Sequence, residues 1–472
     1  MSSLLISESR YEIKKPTENF FISVLDVQSA FDVVQHIILM DKAMNQNMHP
    51  TYWKILTELY EGLTSKVKWM DGLSEPFKIK QGVRQGGILS THLYKIFVQD
   101  LLVELEQNSL GYHLGDIYVG APTCADDIAF ISNNEYELQV MLNVIDRYAK
   151  EHHYKNTSYQ NRNNRLFKAS TTFNKIKYIE ELEIFHRKNL RHLQSLPERT
   201  SNAVVLLLLG ALPIEAEIHK RHLSLLYSIL SCDNSKIKDV MIRQIATNYD
   251  NKKSFFSRIL NILEMYDLPS INYLQKNLPK RDIWKEEIKK KVNQYWNAQL
   301  KSEARNKTSL KNMNIENLEI GKTAQVWNLQ NQPRLELRKA IIKARMMTGA
   351  YILQSDKHKF THFVAEPLCQ LCNTENEDII HMVTSCPVLS TIREKYYVEM
   401  KMEILDNIDP IKWNTFCCNK MEITQLILDC NNFKETLNIS SELMTKIEEK
   451  CRNLLFQLHA KRIEVLDALN NK

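Results

Sequence analysis

Gln81-Gly82-Val83-Arg84-Gln85-Gly86-Gly87-Ile88-Leu89-Ser90 is the stretch on which the reading of this chain turns. Its three glycines read as a turn or loop, set beside an arginine and a glutamine. Apolar runs bearing acids lie to either side. Upstream, residues 20–26 (FFISVLD) form a β-branched and aromatic run ending in Asp26. Downstream, residues 117–119 and 128–131 flank Ala125-Asp126-Asp127, two acids at an expected turn between strands. Between them, residues 67–69 and 77–79 flank Gly72 like the arms of a hairpin. Strands alternating with helices predict an α+β unit over roughly the first 150 residues.

Carboxylates at strand ends have a chemistry available to them. Transfer of a nucleotide to a 3′-hydroxyl uses two hard divalent ions about 3.5–4 Å apart. Mg²⁺ keeps several waters, so two or three carboxylates suffice to hold it. Asp26 and Asp126 could converge on such a pair. Each acid alone is more often a turn former or a helix cap. The case rests on three segments occurring in order.

Leu25-Asp26-Val27-Gln28-Ser29-Ala30-Phe31-Asp32, the glycine-rich stretch and Cys124-Ala125-Asp126-Asp127 together resemble motifs A, B and C of the reverse transcriptase palm. The resemblance is to the enzymes of LINE-type (non-LTR) retrotransposons. It implies an RNA-directed DNA polymerase acting in target-primed reverse transcription, with two Mg²⁺, an RNA template, a DNA primer or target, and deoxynucleoside triphosphates. Asp26 and Asp126 would be the metal carboxylates, with Asp127 beside them. Phe31 would sit under the incoming sugar and exclude a 2′-hydroxyl, while Arg84, Gln85 and Gly86 would line the nascent base pair. Cys124 replaces the usual aromatic residue, and Thr91 the frequent proline after Leu-Ser. Residues 135–148 supply the helix expected next, and Lys155 is the one candidate for a lysine that protonates pyrophosphate. Only about 25 residues precede Asp26. Fingers, primer grip and an apurinic-type endonuclease are not recognisable, so the resemblance implies a truncated or internally deleted copy, or an incomplete gene model. A catalytically dead nucleic-acid-binding relic of the same element is the alternative.

A second signal lies far downstream. Cys369-x2-Cys372-x8-His381-x4-Cys386, bracketed by Pro367 and Pro387, offers four soft or borderline ligands suited to one tetrahedral Zn²⁺. It resembles the C-terminal knuckle of many LINE enzymes. Three buried thiols and an incidental histidine are the rival reading. The spacing predicts a cysteine turn followed by a short helix bearing His381 and Cys386, with metal supplying the stability that so small a core lacks.

The rest of the chain reads as helical. Eight of the 11 glycines lie between Gly62 and Gly120, so turns concentrate early. Residues 214–230, 284–296, 335–347 and 439–469 carry a 3.6-residue apolar rhythm. The expected order is an α+β palm fragment over 1–160, a thumb- or connection-like helical region over 161–360, a zinc knuckle over 361–395 and a helical tail over 396–472. Net charge is only +6, but residues 147–199 hold twelve Lys/Arg against five Asp/Glu, a strip able to follow phosphates or simply a solvated face. Nine cysteines without a disulfide-like pattern fit a reducing intracellular setting, and the resemblance implies a ribonucleoprotein of nucleus and cytoplasm. Residues 1–15 have no secretory core. The run 203–212 (AVVLLLLGAL) is about half of a bilayer span, so no membrane is expected.

Overall fold

The computed structural model describes residues 1–13, 19–25, 29–84, 86–124, 126–152, 167–168, 175–248, 254–329, 334–434 and 437–470. Asp26, Gln85 and Lys155 lie outside these, as does much of the basic strip. The chain divides into two compact units, one of residues 1–173, 225–265 and 269–278, the other of residues 174–224, 266–268 and 279–472.

Among the described residues, every strand belongs to the first unit. A four-stranded antiparallel sheet runs in the order β10 (Phe167–Lys168), β1 (Phe21–Leu25), β9 (Asp127–Ser132), β8 (Thr123–Cys124). Its centre is the β1–β9 pair, with Phe21 opposite Ser132 and Leu25 opposite Ile128. Ile128 and Phe130 are buried in one core with residues of helices α2 (His36–Asn45), α4 (Ser90–Gln107) and α5 (Glu135–Glu151), and Ile131 is buried outside that cluster. Helix α5 starts where Asn134 accepts a hydrogen bond from the Tyr136 amide at 2.9 Å, and it buries Leu138, Met141, Ile145 and Tyr148 at helical spacing. Lys42 of α2 donates to Asp100 of α4 at 2.6 Å and to the Tyr148 hydroxyl of α5 at 2.7 Å, so one buried ammonium ties three helices.

Two expected strand pairings differ. Residues 67–69 do not pair with 77–79. The segment forms two short nested ladders, β2 (Thr64–Ser65) with β5 (Phe77–Lys78) and β3 (Lys68–Trp69) with β4 (Gly72–Leu73). Val67, Trp69, Leu73 and Phe77 are all exposed, so no buried face fixes a longer register. Residues 117–119 pair with their own neighbours instead of 128–131: β6 (His113–Leu114) turns through Gly115-Asp116 into β7 (Ile117–Tyr118). Gly115 has φ +61°, which a two-residue hairpin turn demands.

Helices α1 (Ser2–Glu12), α3 (Pro50–Tyr60), α9 (Ser235–Thr247), α10 (Phe255–Met265) and α11 (Ile271–Lys276) complete the first unit. Glu8 of α1 is fully buried, accepting from the Phe255 amide at 2.7 Å, the Ser254 hydroxyl at 2.8 Å and the Gln244 amide at 3.1 Å. Burial pushes its carboxyl above the usual range, and these donors oppose that push.

The second unit is helical: α6 (Lys175–Leu193), α7 (Asn202–Leu209), most of α8 (Ile214–Leu230), α12 (Arg281–Arg305), α13 (Arg334–Met347), α14 (Gln354–Phe360), α15 (Ser390–Leu405), α16 (Pro410–Phe416), α17 (Lys420–Leu428) and α18 (Ser441–Asn470). The predicted helices at 214–230, 284–296, 335–347 and 439–469 are present, the last as one continuous helix. The apolar run is the buried helix α7, stopped by Gly210 in the left-handed region. Among the described residues no single helix is long and apolar enough to cross a membrane. The bent pair α7–α8 passes that test only jointly, across a 58° break.

Helix α18 packs along α13 and α15. Lys343 of α13 and Glu448 of α18 form a fully buried pair at 2.7 Å, and the carboxylate also accepts from the Cys430 thiol at 3.0 Å. Burial alone would lower the Lys343 pKa. Contact with Glu448 outweighs it and keeps the ammonium charged. Removing one partner strands a buried charge, so Glu448→Leu is expected to cost about 3–5 kcal/mol in urea unfolding. The double variant Lys343→Met/Glu448→Leu should recover most of that loss. A single variant as stable as the parent would contradict the pairing.

Candidate active site and candidate metal centre

Strands β8 and β9 face each other with Cys124 opposite Asp127 and Thr123 opposite Ile128. Only Ala125 and Asp126 separate the two strands, which puts Asp126 at a hairpin tip. Asp126 is half-buried and Asp127 exposed. Neither carboxylate makes a hydrogen bond or ion pair among the described residues, so both keep oxygen available to a hard cation. The last residue of β1, Leu25, pairs with Ile128 and so ends two residues along from Asp126. Asp26 follows Leu25 in the chain and is outside the described residues.

The glycine-rich segment is hydrogen-bonded to the chain that follows β1. The Gly82 amide donates to the Val34 carbonyl and the Val83 amide to the Phe31 carbonyl, both at 2.7 Å. Gly82 has φ +98°, and a Cβ there would stand 3.3 Å from the Asp32 carbonyl oxygen. Two penalties meet at that position. Gly82→Ala is therefore expected to lower stability by about 1–3 kcal/mol, read as a shift in the thermal midpoint. A neutral substitution would mean that this seam relaxes freely.

Beyond Gly82 the chain turns about the Arg84 carbonyl, which accepts from the Gly87 amide at 3.0 Å and from the Ser90 hydroxyl. A Cβ on Gly87 would come within 2.8 Å of the Ser90 hydroxyl oxygen and 3.0 Å of the Arg84 carbonyl oxygen, so a side chain there would displace the Ser90–Arg84 contact. Arg84 is exposed, and Gly86 has φ +77°. Gln85 is outside the described residues. Ser90 opens α4, and Thr91 lies in its first turn, where a proline would also be accepted.

One residue that motif reading missed joins these parts. Tyr94, one turn into α4, is buried, and its ring lies 5.4 Å from that of Phe31. Burial raises its phenol pKa, and the charges of Asp126 and Asp127 raise it further. Tyr94 thus lies within electrostatic reach of the acids and against Phe31. Its only sequence signal was helical spacing from Ser90.

The described ends of the basic strip are engaged within the protein. Arg147 pairs with Glu104, Lys150 with Asp146 at 2.6 Å, and Arg191 donates to the Thr200 carbonyl.

In the second unit, Cys369, Cys372, His381 and Cys386 bring their ligand atoms within 4.8 Å of one another. A tetrahedron with 2.3 Å metal–sulfur bonds has edges of about 3.8 Å, so the set fits zinc with slight contraction. The Cys369–Cys372 turn is closed by the Asn373 amide donating to the Cys369 carbonyl at 2.8 Å, with Asn373 in the left-handed region. His381 begins a π-helical turn running to Ser385, and Cys386 follows it. The His381 Nε2 lies 3.4 Å from the Cys372 sulfur, while Nδ1 lies 2.9 Å from Glu375. A carboxylate on the far ring nitrogen fixes the tautomer that leaves Nε2 free to ligate. Burial pushes the Cys369 thiol up to about 12. Burial acts the same way on Cys372, but hydrogen bonds involving Thr374, Cys369 and His381 bring it down to about 6.

The spacing did not reveal how this cluster is anchored. Glu377, 1% exposed, accepts from Arg462 of α18 through two bonds of 2.8 and 2.9 Å, and from the Gln354 amide at 3.0 Å. Arg393 of α15 donates to the carbonyls of Val383 and Cys386. Metal is therefore not its sole support.

Residues 2–157 match the family model described as reverse transcriptase (RNA-dependent DNA polymerase). The chain is 27% identical over 144 residues to the Retrovirus-related Pol polyprotein from type-1 retrotransposable element R2 of Nasonia vitripennis, covering 30% of this chain and 14% of that protein. It is 35% identical over 112 residues to the RNA-directed DNA polymerase from mobile element jockey of Drosophila funebris, covering 23% and 12%. The R2DM polyprotein of Drosophila melanogaster is 29% identical over 122 residues, covering 26% and 11%. The matches thus span about a seventh or less of each relative's length. Residues 2–157 of this chain are a reverse transcriptase domain of the non-LTR retrotransposon type, followed by a mostly helical region that carries a Cys/His group able to hold a metal ion.

Proposed function

We propose that the chain is an RNA-directed DNA polymerase of a non-LTR retrotransposon, with its palm in residues 1–160, a thumb- or connection-like region in 161–360, a zinc knuckle in 361–395 and a helical tail in 396–472. Asp26 and Asp126 would hold two Mg²⁺, with Asp127 alongside. The single observation carrying this reading is the β1–β9 register, which ends the strand before Asp26 opposite the strand that opens just after Asp126. When bound, the metal pair supplies activation of the primer 3′-hydroxyl and charge neutralisation at the triphosphate. The chain's own groups do the positioning. Tyr94 backs the Phe31 ring, which would bar a 2′-hydroxyl by contact. Arg84 and Gln85 would steady the template–nucleotide pair, and Gly86 would let it close on backbone. Its partners would be an RNA template, a DNA primer or target, and deoxynucleoside triphosphates, within an intracellular ribonucleoprotein of cytoplasm and nucleus. One structural Zn²⁺ would sit in the knuckle, whose task would be gripping RNA or target DNA.

The test is primer extension by the full chain on an RNA template with deoxynucleotides and Mg²⁺. Incorporation that stops on chelation is expected. Oligonucleotide binding without any incorporation would replace this reading with that of a nucleic-acid-binding relic.

A further inference from the structure

We propose that a cleft in the second unit, walled by Arg199, Arg345, Arg462, Tyr351 and His459, binds a backbone phosphate of a single-stranded nucleic acid. The cleft is open to solvent and has a volume of about 550 Å³. Its charge is one-sided. Arg345 donates through Nε and one terminal nitrogen to the Ser195 carbonyl at 2.9 and 2.7 Å, and Arg199 donates to the Ala350 carbonyl at 2.7 Å. Carbonyl oxygens orient a guanidinium without cancelling its charge, and each fork retains donors for a further acceptor. Arg462 is already matched by Glu377 and acts as a rigid wall. The one acid in the lining is Glu198.

The third side is polar. The Tyr351 hydroxyl and His459 Nδ1 lie 2.8 Å apart. Burial keeps His459 below its ordinary pKa, and the neighbouring Arg462 and Arg345 lower it further. Among the described residues neither Arg199 nor Arg345 forms an ion pair, so two of the three guanidinium charges stay without a carboxylate partner. An anion with several acceptor oxygens fits that need, and phosphate matches the planar donor forks of two arginines.

Bases distinguish a nucleic-acid strand from a free anion, and the rim supplies surfaces for them. Arg199 lies over the Phe360 ring, 5.5 Å from its centre, and Phe360 is 64% exposed. Phe363, three residues on, is 71% exposed, with φ +72°. Exposed rings beside arginines are how proteins stack unpaired bases while holding the backbone. The cleft also backs onto the knuckle, since Arg462 is held by Glu377 between the knuckle's cysteine turn and His381. The inference rests on the polymerase reading for the presence of a strand, and on these residues for the site.

The experiment is fluorescence anisotropy of a labelled oligouridylate with the full chain across a salt series. It is paired with 4-thiouridine photocrosslinking and mass mapping. Arg199→Gln removes a donor fork. Ile463→Glu places a carboxylate in the lining without deleting any polar bond, so it guards against misfolding of the first variant. Each is expected to weaken binding roughly tenfold. Arg199→Gln should also flatten the slope of log K against log salt by about 0.7, the single-strand value per phosphate. Crosslinks should map to peptides holding Tyr351 or Phe360. Unchanged affinity and slope in both variants, or competition by inorganic phosphate with no crosslink at this rim, would overturn the proposal. Primer extension on the same preparations separates the two readings. Extension absent with cleft crosslinks retained removes the polymerase and not the cleft, and the converse removes the cleft alone.

Discussion

Asp126→Asn is expected to lower single-nucleotide incorporation by about a thousandfold or more while leaving the fold intact. Asparagine keeps the shape and one oxygen but loses the charge that would hold a divalent cation. Metal stabilisation of charge in the transition state is worth several kcal/mol, and each 1.4 kcal/mol is about a factor of ten in rate. The structural cost should be small. The side chain occupies a two-residue turn, makes no bond among the described residues, and asparagine is itself a favoured turn former. Asp116→Asn provides an internal control. That residue also lies at the tip of a two-residue hairpin turn, between β6 and β7, and is exposed. Asp116→Asn should leave incorporation unchanged. Equal incorporation by the parent and Asp126→Asn would remove Asp126 from catalysis and the polymerase with it.

That contrast between two hairpins also shows how far the sequence could be read. The turn at Asp126 was legible from the apolar residues around it, but Asp127 already opens β9, and the strand before the turn is Thr123–Cys124, not 117–119. The helices were legible wherever one face is buried over several turns, as in α5, α13 and α18. Register in the 64–78 segment was not legible. Its ladders are two residues long and its large side chains face solvent, so the pattern carries no preference for one pairing over another.

The missed features share a different cause. Tyr94 matters through what it touches, Phe31 and the field of two acids, and a helical tyrosine advertises neither. Lys343 with Glu448 and Glu377 with Arg462 are separated by 105 and 85 residues, and each charge alone reads as surface. Only when both partners leave water together does the pair become tolerable. Glu8 likewise reaches donors 236 to 247 residues away. Periodicity finds the elements of this chain, and long-range polar pairs decide which of them meet.

The metal centre joins the two kinds of information, and its removal should be the second large effect. The purified full chain is expected to carry about one zinc, and Cys369→Ser to carry essentially none, by atomic spectroscopy. Glu375→Gln should fall between. It spares the four ligands and the backbone bond from the Cys369 amide to the Glu375 carbonyl, but weakens the hold on His381 Nδ1. Losses at such supporting groups run about 10–100-fold in metal affinity, measurable by chelator competition. Full-length protein free of zinc when freshly purified, or zinc content unchanged in Cys369→Ser, would dismiss the centre. Stability should respond less than in an isolated finger, where metal supplies about 10–16 kcal/mol of folding energy, because Arg462 and Arg393 still hold this segment to α18 and α15. What zinc loss should disturb instead is the position of Glu377, between the cysteine turn and His381. Arg462 would then keep Glu377 as its partner but in a less fixed position, loosening one wall of the arginine-lined cleft beside it. Chelated protein should therefore bind oligouridylate more weakly while keeping most of its helical circular dichroism, a combination that global unfolding would not produce.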